Sequence, residues 1–519
     1  MRFTGLTFDS LWLDEGYQTV VESYGVELPN FTDVRAEPFL FKPGKPASLP
    51  DVLRNFRKVD PLCPPLFALL MNLWLTVFGG SDFSLRALSA TISSIAVLLI
   101  YFLGSLLLGR RSALFASLLQ AISPFDIAYA QEARMYTLVI LFAVLSASAF
   151  ILLASRRQNS KTLLYAAIYI GSTWALVNTH YTGLFLWVFE ISCGLALSLV
   201  RKDWLLASWL IVANLIVAGL CLPWYPLFQQ AASIRGESFY VARSPSWWWP
   251  FWGLMIRLPL NWIIFLAGKR VAIVAAPIYF FAAAILLPGF LTLCKGAASW
   301  LMSNLPFLSG LAAPRVEPGR KSDQLNCVYF LLLLWCLLPA LAVWFVDVIE
   351  SHRVIEITRY VIATAPAVFL VGGVGIAYAL KRFKFAYWFI GLYAAFALAN
   401  NVYAHVIHQR EDWLRAAQLV NNLCLKDDLL LVSQYYDIVC LDRYLTRPIR
   451  QIGIGAAMGK DKIAHLVNCE IKPTPDAFWL LTAQEGDRVF AMIPLNFKAV
   501  SEYDLGHALH LRRYVRVAL

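Results

Sequence analysis

The sequence predicts an all-α polytopic membrane protein with a small C-terminal α/β domain on the outer face of the membrane. Of its 519 residues, 59% are hydrophobic and only 15% are charged. The mean hydropathy of +0.61 lies outside the range of soluble globular domains. About ten apolar runs are long enough to cross the roughly 30 Å of hydrocarbon in a bilayer. Residues 404–519 contain no such run, so they form a separate domain.

The apolar runs predict about 10–11 transmembrane helices. The runs are residues 87–108, 112–129, 133–154, 162–179, 182–200, 204–226, 271–294, 327–346, 361–380 and 385–403. Residues 247–267 are rich in tryptophan and proline, which favours an interfacial segment and leaves an extra span as the alternative. Residues 62–79 predict a helix in the outer interface that begins at Pro64 and Pro65.

Basic residues concentrate in alternate connections, such as Arg110 and Arg111 or Lys381 and Arg382. The positive-inside rule places these connections in the cytoplasm. The opposite connections are residues 1–86, 130–134, 179–182, 228–270, 347–360 and everything after 403. The same clusters explain the net charge of +11, which excludes nucleic acid as a partner. We expect a multi-pass protein of the plasma (inner) membrane, in the cell envelope, with an extracytoplasmic C-terminal domain.

Three domains are predicted: an outer-face loop with interfacial helices over 1–86, a transmembrane domain over 87–403, and an α/β domain over 404–519. In the last domain, "DDLLLVSQ", "IRQIGIG" and "AFWLLTAQ" predict strands. Helical stretches are expected between them, at about 411–425, 435–445 and 459–468.

Four motifs occur in one order along the chain. They are "LWLDE" at 11–15, "PLCPPLFALLMNLWLTVFGGSDFSLRALSA" at 61–90, "SPFDIAYAQEARMYTL" at 123–138 and "RYVIATAPA" at 359–367. This order resembles the membrane glycosyltransferases of the protein mannosyltransferase and aminoarabinose transferase superfamily (glycosyltransferase family 39-like), which have the GT-C fold. The "EDWLRAAQLV" stretch at 411–420 is similar to bacterial members.

The resemblance implies an inverting enzyme that moves a sugar from a polyprenyl phosphate to a hydroxyl or similar acceptor at the outer face. It implies that Asp14 is the catalytic base and that Glu15 supports it. The chemistry is consistent with a single base, because a phosphate leaves without the protonation that an ordinary glycoside needs. The alternative for the two acids is a solvated pair at the interface.

Arg134 and Arg359 are the candidate ligands of the donor phosphate, because guanidinium groups bind phosphate oxygens in a bidentate fork. The alternative is that they snorkel to lipid headgroups. Glu132 binds the acceptor, binds a divalent cation or pairs with Arg134, and these three roles stay open. His180, Tyr181 and Tyr360 are the other candidate substrate-binding residues. No residues are assigned to a metal, and no other cofactor is expected.

Members of this superfamily normally have a transmembrane helix before "LWLDE", whereas nine residues precede Ser10 here. We therefore expect that the start is truncated. The rival function is a transporter or flippase of lipid-linked saccharides, and a third is an inactive scaffold. Transporters carry ionisable residues near the bilayer midplane, commonly in repeated halves. The acids and arginines of this chain lie at the ends of the apolar runs instead, which favours an enzyme.

Overall fold

The computed structural model describes most of the chain. The described residues are 1–26, 40, 42, 44–59, 63–155, 160–234, 246, 248–269, 273–304, 320–425, 427–433, 435–454, 463, 465–470, 475–483, 490, 493–507 and 509–517. They pack into two compact units. The helical unit comprises Met1–Phe3, Pro61–Phe67 and Arg86–Tyr403, and the α/β unit comprises Thr4–Asp60, Ala68–Leu85 and Ala404–Leu519.

Helices dominate the described residues. In chain order they are α1 (Leu13–Gly16), α2 (Leu49–Val59), α3 (Leu66–Phe78), α4 (Asp82–Leu108), α5 (Arg110–Ile122), α6 (Pro124–Ala130), α7 (Tyr136–Ser155), α8 (Thr162–Val177), α9 (Gly183–Arg201), α10 (Trp204–Cys221), α11 (Tyr225–Ile234), α12 (Trp249–Trp252), α13 (Leu258–Ala267), α14 (Ile278–Asn304), α15 (Arg320–Glu350), α16 (Ala365–Arg382), α17 (Ala386–Tyr403), α18 (Trp413–Leu423) and α19 (Ile438–Tyr444). A π-helical segment, Tyr17–Ser23, continues α1, and a 3-10 segment, Thr358–Thr364, leads into α16.

The prediction of a polytopic membrane protein is confirmed. Within the described residues, eight helices are long and apolar enough to cross a membrane, or nine if the bent pair α5–α6 is one span. That pair bends by 59° where Ser123 leaves the helical conformation before Pro124. Within the described residues, each predicted apolar run overlaps at least one helix, and the run 112–129 overlaps both α5 and α6.

Within the described residues, two of the ten predicted runs are not among these candidate spans. Helix α8 has only 16 residues, and α17, which ends with the polar pair Asn400 and Asn401, is not among the eight. The segment Trp249–Ala267 forms 19 helical residues of sufficient hydropathy. It therefore favours the extra span that the sequence left open over the interfacial segment.

Helix α16 is the central helix of the helical unit. In the continuous segment Thr358–Arg382, 94% of the most apolar window is buried. Its glycines permit this, because a Cβ at Gly373 would lie 2.3 Å from the Ser112 carbonyl oxygen of α5. A Cβ at Gly375 would lie 2.2 Å from the carbonyl oxygen of Ile285 in α14. Small residues thus let the backbones approach closely, as is common between membrane helices.

A buried ion pair ties the first residues of the chain to the helical unit. The Arg2 guanidinium donates to Asp126 Oδ2 at 2.6 Å and to Ser93 Oγ at 2.8 Å. It also donates to the carbonyl oxygens of Gln120 and Ala121. The carboxylate of Asp126, which is 1% exposed, is therefore both paired and hydrogen-bonded, as a buried charge requires.

The α/β unit is built on a five-stranded sheet. Its strands are β1 (Leu429–Ser433), β2 (Arg450–Ile454), β3 (Ala477–Thr482), β4 (Phe497–Asp504) and β5 (His510–Arg516), in the order β2-β1-β3-β5-β4. Strands β2 and β3 are parallel to β1, whereas β5 is antiparallel to both β3 and β4. The small C-terminal α/β domain is confirmed, and β1 to β3 are the three predicted strands.

Residues near the N-terminus belong to the core of this unit. Val20 and Val21 are buried in one cluster with Trp413 of α18 and with Ile438 and Leu441 of α19. The helices predicted at 411–425 and 435–445 are confirmed as α18 and α19. Of the helix predicted at 459–468, residues 459–462 and 464 lie outside the described residues, and a π-helical segment occupies Leu466–Glu470.

Candidate functional site

The predicted site residues fall into two groups, one in each unit. Asp14 and Glu15 are in the α/β unit, and they form the acidic group. The cationic group is in the helical unit and comprises Glu132, Arg134, His180, Tyr181, Arg359 and Tyr360.

The ring of Tyr136, at the start of α7, organises the cationic group. The guanidinium carbon of Arg134 lies 5.7 Å from the centre of this ring, and that of Arg359 lies 6.0 Å from it. Arg359 is also 5.8 Å from the ring centre of Tyr360. Tyr136 is 2% exposed, so two cations share one buried aromatic ring at the outer limit of cation–π distance.

His180 joins the same cluster. Its ring centre lies 6.1 Å from that of Tyr136 and 5.9 Å from that of Tyr360. The backbone N–H of Thr182 donates to His180 Nδ1 at 3.2 Å, which makes Nδ1 an acceptor. The proton of the neutral ring therefore sits on Nε2.

The other two residues of the cationic group lie differently. Glu132 is in the same turn as Arg134, whose backbone N–H donates to the Glu132 carbonyl oxygen at 2.8 Å. Tyr181 packs edge-to-face on Phe228 of α11, with ring centres 5.4 Å apart. The structure thus brings together Arg134, His180, Arg359 and Tyr360 around Tyr136, a ring that we had not assigned to the site.

Two side chains hold the chain just before Arg359. The carboxylate of Asp347, near the end of α15, accepts from the backbone N–H groups of Val354 and Ile355 at 2.6 and 2.8 Å. Asn261 of α13 donates to the Ile355 carbonyl oxygen and accepts from the Thr358 hydroxyl, both at 2.9 Å. These bonds fix the backbone on either side of residue 356 and so orient the start of the 3-10 segment that carries Arg359.

An ion pair strengthens the same turn. Arg353 donates to both carboxylate oxygens of Glu356 at 2.7 and 2.6 Å, and the Trp249 indole donates to one of them at 2.9 Å. Burial alone would raise the pKa of Glu356, but the hydrogen bonds from Arg353 and Trp249 outweigh it and the pKa is lowered. The carboxylate form is therefore the stable one. We call residues 353–358, with Asp347 and Asn261, the Arg359 clamp.

In the acidic group, the two neighbouring carboxyl groups have different environments. Glu15 is 1% exposed, and its Oε2 accepts from the backbone N–H of Trp12 at 3.4 Å, at the start of α1. Asp14 is partly exposed. Glu15 thus supports the helix start, whereas Asp14 is the more exposed of the two acids.

Further carboxyl groups surround this turn. Burial raises the pKa of Asp437 well above its ordinary value, and the neighbouring Glu411 carboxylate raises it further. Burial also raises the pKa of the Cys440 thiol, and the carboxyl groups of Asp437, Glu15, Glu411 and Asp14 add to the shift. Cys440 is therefore an inert thiol, and it marks the centre of an acidic region.

No group of three or more His, Cys, Asp and Glu side chains is arranged to hold a metal ion in the part of the chain that the structure describes. The sequence places Tyr136 near the outer interface without assigning it to the site, and it does not single out Asp347, Asn261 or Glu356. Tyrosines are common in the aromatic belts at membrane interfaces, so the sequence does not distinguish Tyr136 from an ordinary interfacial residue. The partners in the clamp lie up to 97 positions apart in sequence, and no local pattern connects them.

Residues 63–226 match the family described as dolichyl-phosphate-mannose-protein mannosyltransferase. Among curated proteins, no sequence matches this chain. The fold is similar to that of ArnT from Cupriavidus metallidurans bound to undecaprenyl phosphate, with a TM-score of 0.52 and 14% identity, over 100% of this chain and 96% of that chain. The archaeal oligosaccharyltransferase AglB from Archaeoglobus fulgidus, in complex with an inhibitory peptide and a dolichol-phosphate, gives a TM-score of 0.48 and 12% identity, over 96% of this chain and 70% of that chain.

The similarity to ArnT shows the fold of this chain. The chain has the GT-C fold, and the resemblance to the protein mannosyltransferase and aminoarabinose transferase superfamily is confirmed.

Proposed function

We propose that this chain is an inverting glycosyltransferase that moves a hexosyl or pentosyl group from a polyprenyl-phosphate donor to a hydroxyl or similar acceptor. The observation that carries the proposal is the pair of arginines, Arg134 and Arg359, around the Tyr136 ring. The undecaprenyl phosphate bound to ArnT, which has the same fold, is consistent with such a donor. The reaction takes place at the outer face of the plasma membrane, where the α/β unit is extracytoplasmic.

The cationic group binds the donor phosphate. As the bond to the sugar breaks, the phosphate oxygens gain negative charge, and fixed guanidinium groups stabilise this charge more in the transition state than in the ground state. His180 donates from Nε2 and Tyr360 supplies a ring beside Arg359. The Arg359 clamp keeps this arginine in place before the donor arrives, so little ordering energy is lost on binding.

Asp14 acts as the general base. The acceptor oxygen forms a bond to the anomeric carbon, the bond from that carbon to the phosphate oxygen breaks, and its electron pair leaves with the polyprenyl phosphate. The acceptor proton goes to the Asp14 carboxylate. A general base of this kind contributes about 10²–10⁴-fold, and one displacement inverts the anomeric configuration. Glu132 and Tyr181 are the candidate ligands of the acceptor. Glu132 is alternatively a ligand of a divalent cation.

One observation favours the rival function, a transporter of lipid-linked saccharides. Glu190 of α9 is fully buried within a membrane-spanning helix. The Ser146 hydroxyl of α7 donates to its carboxyl oxygen at 2.7 Å and lies 2.7 Å from the Thr173 hydroxyl of α8. Ionisable residues within spans mark transport pathways in many membrane proteins. Glu190 is however enclosed by packed helices, which supports a role in holding three helices together.

The test is to incubate the purified protein in proteoliposomes with a panel of polyprenyl-phosphate sugars and candidate acceptors. The enzyme releases polyprenyl phosphate and yields a product of inverted configuration. Asp14→Asn abolishes release, whereas Asp51→Asn, which removes an exposed carboxylate on α2, does not. Movement of intact donor between leaflets without cleavage, abolished by Glu190→Gln, would instead establish the transporter.

A further inference from the structure

Five consecutive residues before the acidic turn contact the C-terminal part of the α/β unit. The Phe8 ring stacks on His408, with ring centres 4.4 Å apart and planes at 7°. Asp9 Oδ1 lies 2.8 Å from His408 Nδ1. The guanidinium carbon of Arg410 lies 3.9 Å from the ring centre of Trp12. Residues 8–12, which we call the strap, therefore run along residues 408–413.

Two consecutive residues in the middle of the strap, Ser10 and Leu11, form hydrogen bonds. The Ser10 hydroxyl donates to the Glu411 carbonyl oxygen at 3.0 Å and accepts from the Trp413 backbone N–H at 2.9 Å. The backbone N–H of Leu11 donates to the Tyr444 hydroxyl at 2.9 Å. The Ser10 side chain thus binds backbone groups of residues 411 and 413, and the Leu11 backbone N–H is bound by the Tyr444 side chain.

The Tyr444 hydroxyl is itself held in place. It donates to Asp82 Oδ2 at 2.6 Å, and the other oxygen of Asp82 accepts from Arg443 at 2.8 and 2.7 Å. Burial, and then the Asp82 carboxylate, raises the pKa of Tyr444 far above its usual value, so this hydroxyl keeps its proton. Because it donates to Asp82, it offers its lone pairs to Leu11.

The segment after the acidic turn is packed just as closely. A Cβ at Gly16 would lie 3.0 Å from Cys440 Sγ and 3.7 Å from Val439 Cγ1. Four residues further on, Val20 and Val21 enter the core around α18 and α19. Asp14 therefore lies between a fixed segment that ends two residues before it and a fixed segment that begins two residues after it.

We propose that Tyr444, held by Asp82, is a positioning residue for Asp14. This inference rests on the proposed function, and it makes the C-terminal part of the α/β unit a component of the catalytic machinery. The physical reason is geometric, since a displacement of about 1 Å in a reacting group can cost about 10²-fold in rate. Asp14 lies in the first turn of a helical stretch, where backbone N–H groups have no partner within the helix, so the strap before it helps to hold this turn.

The test compares Tyr444→Phe with Tyr503→Phe, which removes a hydroxyl from the exposed strand β4 of the same unit. Tyr444→Phe lowers kcat about tenfold or more and leaves the KM for the donor within twofold, because the cationic group is intact. Tyr503→Phe changes neither constant. Ser10→Ala, a second and smaller change in the strap, lowers kcat in the same way.

Hydrogen exchange gives a readout that does not depend on catalysis. In Tyr444→Phe, the amides of residues 8–16 exchange faster than in the wild type, while those of β1 and β3 do not change. Unchanged exchange over 8–16 overturns the positioning role, as does an unchanged kcat. If the wild-type protein transfers no sugar, but the amides of residues 8–16 exchange faster in Tyr444→Phe, the proposed function is contradicted, whereas the role of Tyr444 in holding the segment around Asp14 still stands.

Discussion

The guanidinium groups of Arg134 and Arg359 approach the same ring, with distances of 5.7 and 6.0 Å to the centre of Tyr136. The two arginines are separated by 225 positions in sequence, and the buried tyrosine sets how far apart they stand in the helical unit. This relationship makes Tyr136 the first target for testing the donor site.

Replacing the ring should weaken donor binding. Tyr136→Leu is expected to reduce the affinity for polyprenyl phosphate about tenfold, because each cation–π contact contributes about 0.5–1 kcal/mol and the ring also spaces the arginines. Tyr136→Phe keeps the ring and stays within about threefold on the same grounds. Titration calorimetry in detergent measures both. Tyr101→Leu on α4 serves as the control, and equal affinity in Tyr136→Leu and wild type would refute this role of the ring.

Mutation of the Arg359 clamp should weaken donor binding even at a residue that lies away from the donor phosphate. Asn261→Leu leaves the Ile355 carbonyl oxygen and the Thr358 hydroxyl without this partner, at a cost of about 1–3 kcal/mol. We expect a lower melting temperature and a donor affinity reduced at least threefold, because the backbone before Arg359 is no longer held in place. Asn304→Leu, at the end of α14, removes a local bond to the Trp300 carbonyl oxygen and should leave donor affinity unchanged. If the two variants bind donor alike, the clamp does not position Arg359.

The lowered pKa of Glu356 predicts a pH-dependent contribution to stability. A carboxyl group whose folded pKa is depressed stabilises the fold above its ordinary value, here 4.5, and loses this contribution as the pH falls through the folded pKa. The wild type should therefore melt above Glu356→Gln at pH 7, and the difference should shrink steadily below about pH 4.5. Thermal unfolding from pH 7 to pH 3 measures this. A difference in melting temperature that grows as the pH falls would contradict this prediction, because a paired carboxylate loses its stabilising effect when it is protonated.

The packing around α16 predicts contrasting effects of one methyl group. Gly373→Ala places a Cβ 2.3 Å from the Ser112 carbonyl oxygen, so α5 and α16 must separate at a cost of about 1–3 kcal/mol. Gly391→Ala on α17 meets no atom within 4 Å and should be neutral or slightly stabilising, because alanine favours the helix. Thermal unfolding of the two variants in the same detergent compares them. Equal melting temperatures would show that α5 and α16 are not packed this closely.

Much of the fold could be predicted because apolar runs specify spans directly, and because β1 to β3 are short buried strands. Strands β4 and β5 were missed. Most residues of β4 are exposed, among them Lys498 and Glu502, and its pattern resembles that of a polar loop. Helix α2 was missed for a similar reason, since its mean composition is polar although one face is buried.

Residues of the candidate site could be predicted only where their chemical role is recognisable from a short sequence motif. Asp14, Arg134 and Arg359 are charged residues at the ends of apolar segments, so they are conspicuous in the sequence. Asn261 and Tyr444 act through backbone groups of residues that are distant in sequence, Ile355 and Leu11. Such pairs become visible only when the chain is folded, because a single asparagine or tyrosine has many ordinary roles.

The most direct measurement is single-turnover transfer with donor already bound, comparing wild type with Asp14→Asn. Because Asp14 accepts the proton of the acceptor only as the new bond forms, the variant should bind donor with unchanged affinity and transfer the sugar about 10²–10⁴-fold more slowly. Transfer at the wild-type rate in Asp14→Asn would contradict the account. So would a loss of rate that is explained entirely by a loss of donor binding.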